Sequence, residues 1–231
     1  MHTHVYVPSR RFEDYEYCRI CGTYHSTALM DKRELYEDGY WSAETGHSSF
    51  PEQIDNITKF PNEVGVSKID YAINSMQLGG KVLEIGCAPG VLLNRARRKG
   101  MTVIGIEPDV TLIPYIARVA GLCEDSILHG YFPDVKTDTD FDYAVAMDVV
   151  EHVERPEEFI LGAKDRLKIG GHFFMMSPII DKGFYRARDF WAKEHAYIFS
   201  RTYIESFLQD HFTEVHFGRW MTGHECFLCK K

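Results

Sequence analysis

Val82-Leu83-Glu84-Ile85-Gly86-Cys87-Ala88-Pro89-Gly90 is the stretch that decides the fold. Its first four residues read as a short buried strand. Gly86 to Gly90 then break it with small residues that let a backbone turn sharply and come close to a ligand. Val91 to Ala96 open a helix that ends at Gly100. The same alternation continues downstream. Thr102 to Ile106 form a second strand closed by Glu107-Pro108-Asp109, Leu112 to Ala120 a helix stopped by Gly121, and Ile127 to His129 a weaker strand. Phe141 to Met147 make a strong strand ending at Asp148, and Pro156 opens a helix running to Leu167, closed by Gly170-Gly171. His172 to Met176, Glu214 to Phe217 and Glu225 to Cys229 supply the remaining strands, and Thr202 to Gln209 the last helix. Upstream, Val66, Ile69, Ile73 and Met76 keep helical spacing as far as Gly79-Gly80. Strands and helices at this spacing predict an α/β, doubly wound, mostly parallel sheet covered on both faces. Residues 63–231 are expected to form that domain. Residues 1–62, crowded with aromatics and turn formers, are expected to form an irregular cap over a substrate.

Composition narrows the function. With 231 residues, 45% hydrophobic and 26% charged, the chain is an ordinary globular one. The 34 acidic against 26 basic residues give a net charge of -8, which argues against a broad phosphate-backbone footprint, so no nucleic-acid partner is expected. No apolar run approaches the ~20 residues of a bilayer span, and the N-terminus lacks the basic and apolar regions of a signal peptide. A cytoplasmic enzyme without a membrane partner is the expectation; the oligomeric state is left open.

In an open parallel sheet, ligands bind beyond the carboxyl ends of the strands. The Gly86 to Gly90 turn lies at such an end, although the same turn serves equally as a tight connection without a ligand. Three details favour a ligand. The dinucleotide fingerprint would need glycine where Ala88 and Val91 stand. Glu84 aims an acid at the loop, which repels a pyrophosphate and suits a cation. Glu107 ends the second strand, placed to accept both hydroxyls of a ribose. Together these describe a nucleoside that carries a positive group.

The strand and loop from Val82 to Gly90, Val103 to Pro108, Phe141 to Val153, and Pro156-Glu157-Glu158-Phe159 continuing to Gly171 resemble the class I S-adenosylmethionine-dependent methyltransferases, and within them the small-molecule enzymes acting on sugars, quinones and natural products. The resemblance spans roughly residues 64–231. It implies a Rossmann-like seven-stranded sheet and S-adenosylmethionine as cofactor. Gly86, Cys87, Ala88 and Gly90 would wrap the methionine part, with Glu84 supporting its ammonium. Glu107 would take the ribose, Pro108 would lie against the adenine, and Asp148 and Val149 would line the floor near the sulfonium. After Gly130 the family usually places an acid for the adenine amino group. Here Tyr131 and Phe132 follow instead, which points to stacking and backbone contacts. Ala88 replaces the usual middle glycine and requires a negative φ.

Methyl transfer to oxygen needs alignment, exclusion of water and, for most acceptors, a base. Two of the eleven histidines qualify: His152, after the Phe141 to Met147 strand, and His195, before a helix with Ser200 at its N-cap. The plainer readings are a cofactor-side contact for His152 and a loop anchor for His195. Tyr36, Tyr40, Trp41, Tyr185 and Trp191 are candidates for a substrate lid, and Arg186 and Arg188 for a grip on a phosphate or carboxylate. Cap packing and solvated charge are the bland alternatives for them.

Of six cysteines, Cys18-Arg19-Ile20-Cys21-Gly22 has the form of a zinc knuckle. His25, His2, His4 and the pair Cys226 and Cys229 are the candidates to complete it. The second pair sits on a strand, where residues three apart face opposite sides. The favoured reading is therefore a methyltransferase with a small-molecule substrate and an oxygen acceptor. An RNA or protein methyltransferase, and a non-catalytic S-adenosylmethionine-binding regulator, are the alternatives. The acidic charge counts against RNA, and only turnover separates enzyme from regulator.

Overall fold

The computed structural model describes residues 3–10, 12–28, 66–76, 79–180, 195–221 and 224–231. Eleven strands occur there: β1 (Tyr6–Pro8), β2 (Tyr15–Cys18), β3 (Tyr24–Ser26), β4 (Lys81–Ile85), β5 (Thr102–Glu107), β6 (Ile127–His129), β7 (Phe141–Met147), β8 (Leu167–Ile180), β9 (Tyr197–Ser200), β10 (Glu214–Met221) and β11 (His224–Lys230). Five helices accompany them: α1 (Val66–Asn74), α2 (Val91–Arg98), α3 (Ile113–Ala120), α4 (Pro156–Arg166) and α5 (Arg201–His211). The expected α/β doubly wound sheet is present. Seven strands form it in the order β6-β5-β4-β7-β8-β11-β10, parallel except for β11, which runs antiparallel to β8 and β10.

The strand periodicity sorts side chains onto two faces. Val82, Val103, Val145, Phe174 and Met176 pack with Ile73 of α1, Leu92 and Leu93 of α2 and Ile116 of α3. Leu83, Ile85, Ala144, Phe173 and Met175 pack on the other side with Phe159 and Ile160 of α4 and Phe207 and Leu208 of α5. Each fully buried phenylalanine among them contributes roughly 2–3 kcal/mol of hydrophobic stabilisation. Cys226 lies in the first core and Cys229 in the second, so the strand argument against a shared metal holds.

One expectation changes. β8 begins at Leu167, where α4 ends, and passes through Gly170-Gly171 to Ile180, far beyond the expected His172 to Met176. Its extra length matters, because Ile179 and Ile180 pair with Phe199 and Ser200 of β9, past the end of β7. Among the described N-terminal residues there are three short strands. β1, β2 and β3 form an antiparallel meander whose last strand pairs with β9. The meander thus extends the sheet from the protruding end of β8. Its backbone hydrogen bonds are completed by tertiary partners, which three-residue strands cannot supply alone.

Candidate functional site

The chain order reverses between β4 and β7. From β4 it moves outward to β5 and β6, then returns to β7 on β4's other side, which makes their carboxyl ends the switch point. The loops after β4 and β7 touch there. Gly86 has φ 71°, and a Cβ on it would fall 2.6 Å from a Val149 methyl. Gly90, with φ 88°, opens α2, and a Cβ there would meet the Ile116 carbonyl oxygen at 2.7 Å. Both positions require glycine. Ala88 is not among the residues with positive φ, so its methyl is accommodated. The Cys87 side chain is fully buried in the α1–α3 core and fills the space that glycine leaves at Gly105. Only its backbone belongs to the loop.

Two buried carboxylates flank this loop. Glu84 accepts a hydrogen bond from the Leu93 N–H in the first turn of α2. Its Oε2 is buried without a partner among the described residues. Burial pushes its carboxyl well above the usual range, and the nearby Glu107 charge adds to the effect. An orphaned carboxylate oxygen of this kind suits an incoming ammonium. Glu107 ends β5, and its two oxygens accept from the Ala88 N–H at 3.2 Å and the Asp109 N–H at 3.2 Å. Burial nevertheless pushes its carboxyl up to about 7, outweighing those two bonds. Each oxygen keeps further lone-pair capacity for a hydroxyl donor. The residues present therefore fit S-adenosylmethionine, with Glu84 for its ammonium and Glu107 for its ribose.

The wall after β6 is less uniform. Gly130, with φ 137°, and the partly buried Tyr131 follow β6. His129 Nε2 lies 3.0 Å from the Pro108 carbonyl oxygen, tying that wall together. Phe132 packs edge-to-face on Phe159, with centroids 5.1 Å apart, so its ring is engaged with α4.

Beyond β7, Asp148 takes φ 55°, and its N–H bonds the Met176 carbonyl at 2.9 Å. Its carboxylate pairs with Lys68 of α1, and His224 Nε2 lies 3.8 Å away. Neither partner is signalled by a motif, since α1 and β11 bring them in from distant chain positions. A tight turn then buries Glu151 and His152. Glu151 Oε2 accepts from Ser177 Oγ at 3.0 Å, while its Oε1 has no partner among the described residues. Burial, with Asp148 nearby, raises its carboxyl well above the usual range. His195 meets His152 edge-to-face with centroids 4.8 Å apart, and both rings are buried. Glu151, His152 and His195 each offer a ligand atom within 4.8 Å of the others, a set able to hold a divalent cation. The meander anchors His195: Tyr15 Oη donates to its carbonyl at 3.3 Å, and Ser26 N–H to that of Ala196 at 2.9 Å. Ser200 caps α5 as expected, accepting from the Tyr203 N–H. Tyr36, Tyr40, Trp41, Tyr185, Arg186, Arg188 and Trp191 lie outside the described residues.

A doubly wound sheet with a glycine turn and two acids at its switch point places the chain among the Rossmann-like α/β folds. Residues 61–215 match the model of a family described as a methyltransferase domain, and the chain belongs to that family. It is similar to the mitochondrial ubiquinone biosynthesis O-methyltransferase of Schizosaccharomyces pombe, 25% identical over 61% of this chain and 60% of that one. A ubiquinone biosynthesis O-methyltransferase of Xanthomonas oryzae is 28% identical over 67% of this chain and 62% of its own. The chain thus spans about three fifths of the length of these curated relatives. Among solved structures, an S-adenosylmethionine-dependent methyltransferase of Archaeoglobus fulgidus shares the fold, with TM-score 0.60 and 16% identity over 71% of this chain and 92% of that one.

Proposed function

We propose that the chain binds S-adenosylmethionine across the loops after β4, β5 and β7 and transfers its methyl group to a hydroxyl oxygen of a small molecule. The observation that carries this reading is the convergence of buried Glu84 and Glu107 on one glycine turn, with the His152–His195 pair beyond the neighbouring strand. The cofactor supplies an electrophilic methyl on a cationic sulfur. The protein binds, aligns and deprotonates. Glu84 holds the ammonium, Glu107 the ribose, and the narrow contact between Gly86 and Val149 fixes the loop against β7. A nitrogen of His195 accepts the acceptor's hydroxyl proton as the oxygen–carbon bond forms and the sulfur–carbon bond breaks. The names of the curated relatives favour a phenolic ring as the first acceptor class to try. The net charge of -8 disfavours a nucleic-acid acceptor. Among the described residues no helix is long and apolar enough to cross a membrane.

The buried triad of Glu151, His152 and His195 favours one second reading, in which a divalent cation replaces the base by binding and acidifying the acceptor hydroxyl. Transfer of labelled methyl to a panel of catechols, monophenols and sugars, with and without a chelator, tests both. The base mechanism predicts O-methylated product that persists in the chelator. Product that disappears in the chelator and returns with added magnesium or manganese supports the cation instead. Methylation confined to amines contradicts the oxygen acceptor.

Glu107 makes the affinity pH-dependent. With its carboxyl at about 7 in the free protein, only the ionised form accepts both ribose hydroxyls. Binding favours the deprotonated acid, so affinity rises with pH. From pH 7 down to pH 6 the ionised fraction falls roughly fivefold, and the affinity is expected to fall with it. Titrations at the two pH values check this, with Glu107→Gln expected to give a flatter response.

A further inference from the structure

We propose that His4, Cys18 and Cys21 bind a zinc ion that fastens the N-terminal meander to the α4–α5 face of the domain. The site is separate from the cofactor loops and does not depend on the proposed activity. One donor atom from each of the three residues lies within 4.8 Å of the others. Tetrahedral zinc, at about 2.0–2.3 Å from its ligands, needs them roughly 3.3–3.8 Å apart. The separation of His4 Nδ1 and Cys21 Sγ is already 3.7 Å.

The local backbone is shaped for metal binding. The Cys18 N–H bonds the Thr23 carbonyl at 2.8 Å, the Gly22 N–H bonds the Cys18 carbonyl at 2.8 Å, and Gly22 takes φ 80°. This turn folds both sulfurs to one side, and neither cysteine is in a disulfide. The Cys21 thiol donates to Thr23 Oγ1 at 3.4 Å, which holds its sulfur on the turn. The outer contacts agree as well. With Nδ1 toward the sulfurs, His4 turns Nε2 toward Glu157 Oε1 at 4.0 Å, the carboxylate–histidine arrangement that orients a ligating imidazole. Tyr203 Oη donates to the same Glu157 oxygen, and the His4 ring packs between Tyr6 and Tyr203. The Tyr6 hydroxyl is buried beside the sulfurs without a partner among the described residues, a donor available to a water in the fourth zinc position. His25, a sequence candidate, does not join the cluster and instead pairs with Glu16 at 3.0 Å. His2 lies outside the described residues.

The site joins β1 and the end of β2 to Glu157 on α4 and Tyr203 on α5, and the same meander holds the His195 carbonyl through Tyr15. Metal analysis of the purified full chain, grown with added zinc, is expected to give about one zinc per chain. Exchange with cobalt salt should give thiolate-to-cobalt absorption in the near ultraviolet. Cys18→Ser should lose both signals. His4→Gln, which keeps a polar side chain of similar size at this partly buried position, should keep the fold and weaken zinc binding at least about tenfold. Wild-type protein with negligible zinc and no cobalt–thiolate band would overturn the proposal. So would zinc retained at wild-type level in Cys18→Ser and His4→Gln, which would place the metal elsewhere, for example at Glu151, His152 and His195.

Discussion

His195→Ala is expected to lower kcat by about 100- to 10,000-fold, the range for loss of a positioned general base. The Kd for S-adenosylmethionine should change less than threefold. The asymmetry follows from the position of the residue. His195 stands just before β9, on a segment fixed by the Tyr15 hydroxyl and the Ser26 N–H, whereas the cofactor loops belong to β4, β5 and β7. Both anchoring bonds end on backbone carbonyls, so removing the imidazole leaves the strand in place. What disappears is a buried ring against His152 and a nitrogen able to take a proton. Partial rescue by added imidazole would mark the loss as chemical. Turnover within threefold of wild type would show that His195 serves only as an anchor.

Glu107→Ala is expected to weaken cofactor binding at least about 100-fold. Two hydrogen bonds to a buried carboxylate are worth roughly 1.5–3 kcal/mol each, and 1.4 kcal/mol is a factor of ten. The substitution also strands the N–H groups of Ala88 and Asp109, which end on its two oxygens. The loss should appear in Kd and KM, while kcat at saturating cofactor changes little, since the carboxylate touches no reacting atom. Calorimetry checks the first and steady-state kinetics the second. A Kd within threefold of wild type would remove Glu107 from the ribose site.

The sheet was legible because burial on both faces imposes apolar strands, and the glycines that end its helices punctuate them. Gly86 and Glu107 were legible because turn and acid lie within one βαβ unit, 21 residues apart by their numbering. The meander was not. Tyr6–Pro8 and Tyr24–Ser26 are three-residue strands without a period of their own, ordered by pairing with each other and with β9. The length of β8 was hidden for a related reason: Gly170-Gly171 reads as a stop, yet the strand continues through it. Lys68 and His224 beside Asp148 and Ser177 beside Glu151 were equally hidden. Each contact joins segments that only the tertiary fold brings together. Local pattern reports what a residue does to its own element, and these pairings depend on the register between elements.

Cofactor binding by the unmodified chain is the most direct test of the account. Calorimetric titration at pH 7 with S-adenosylmethionine, and with S-adenosylhomocysteine, should each give a saturable isotherm with one site per chain. Absence of binding by both would contradict the assignment of the β4, β5 and β7 loops, and with it the proposed methyl transfer.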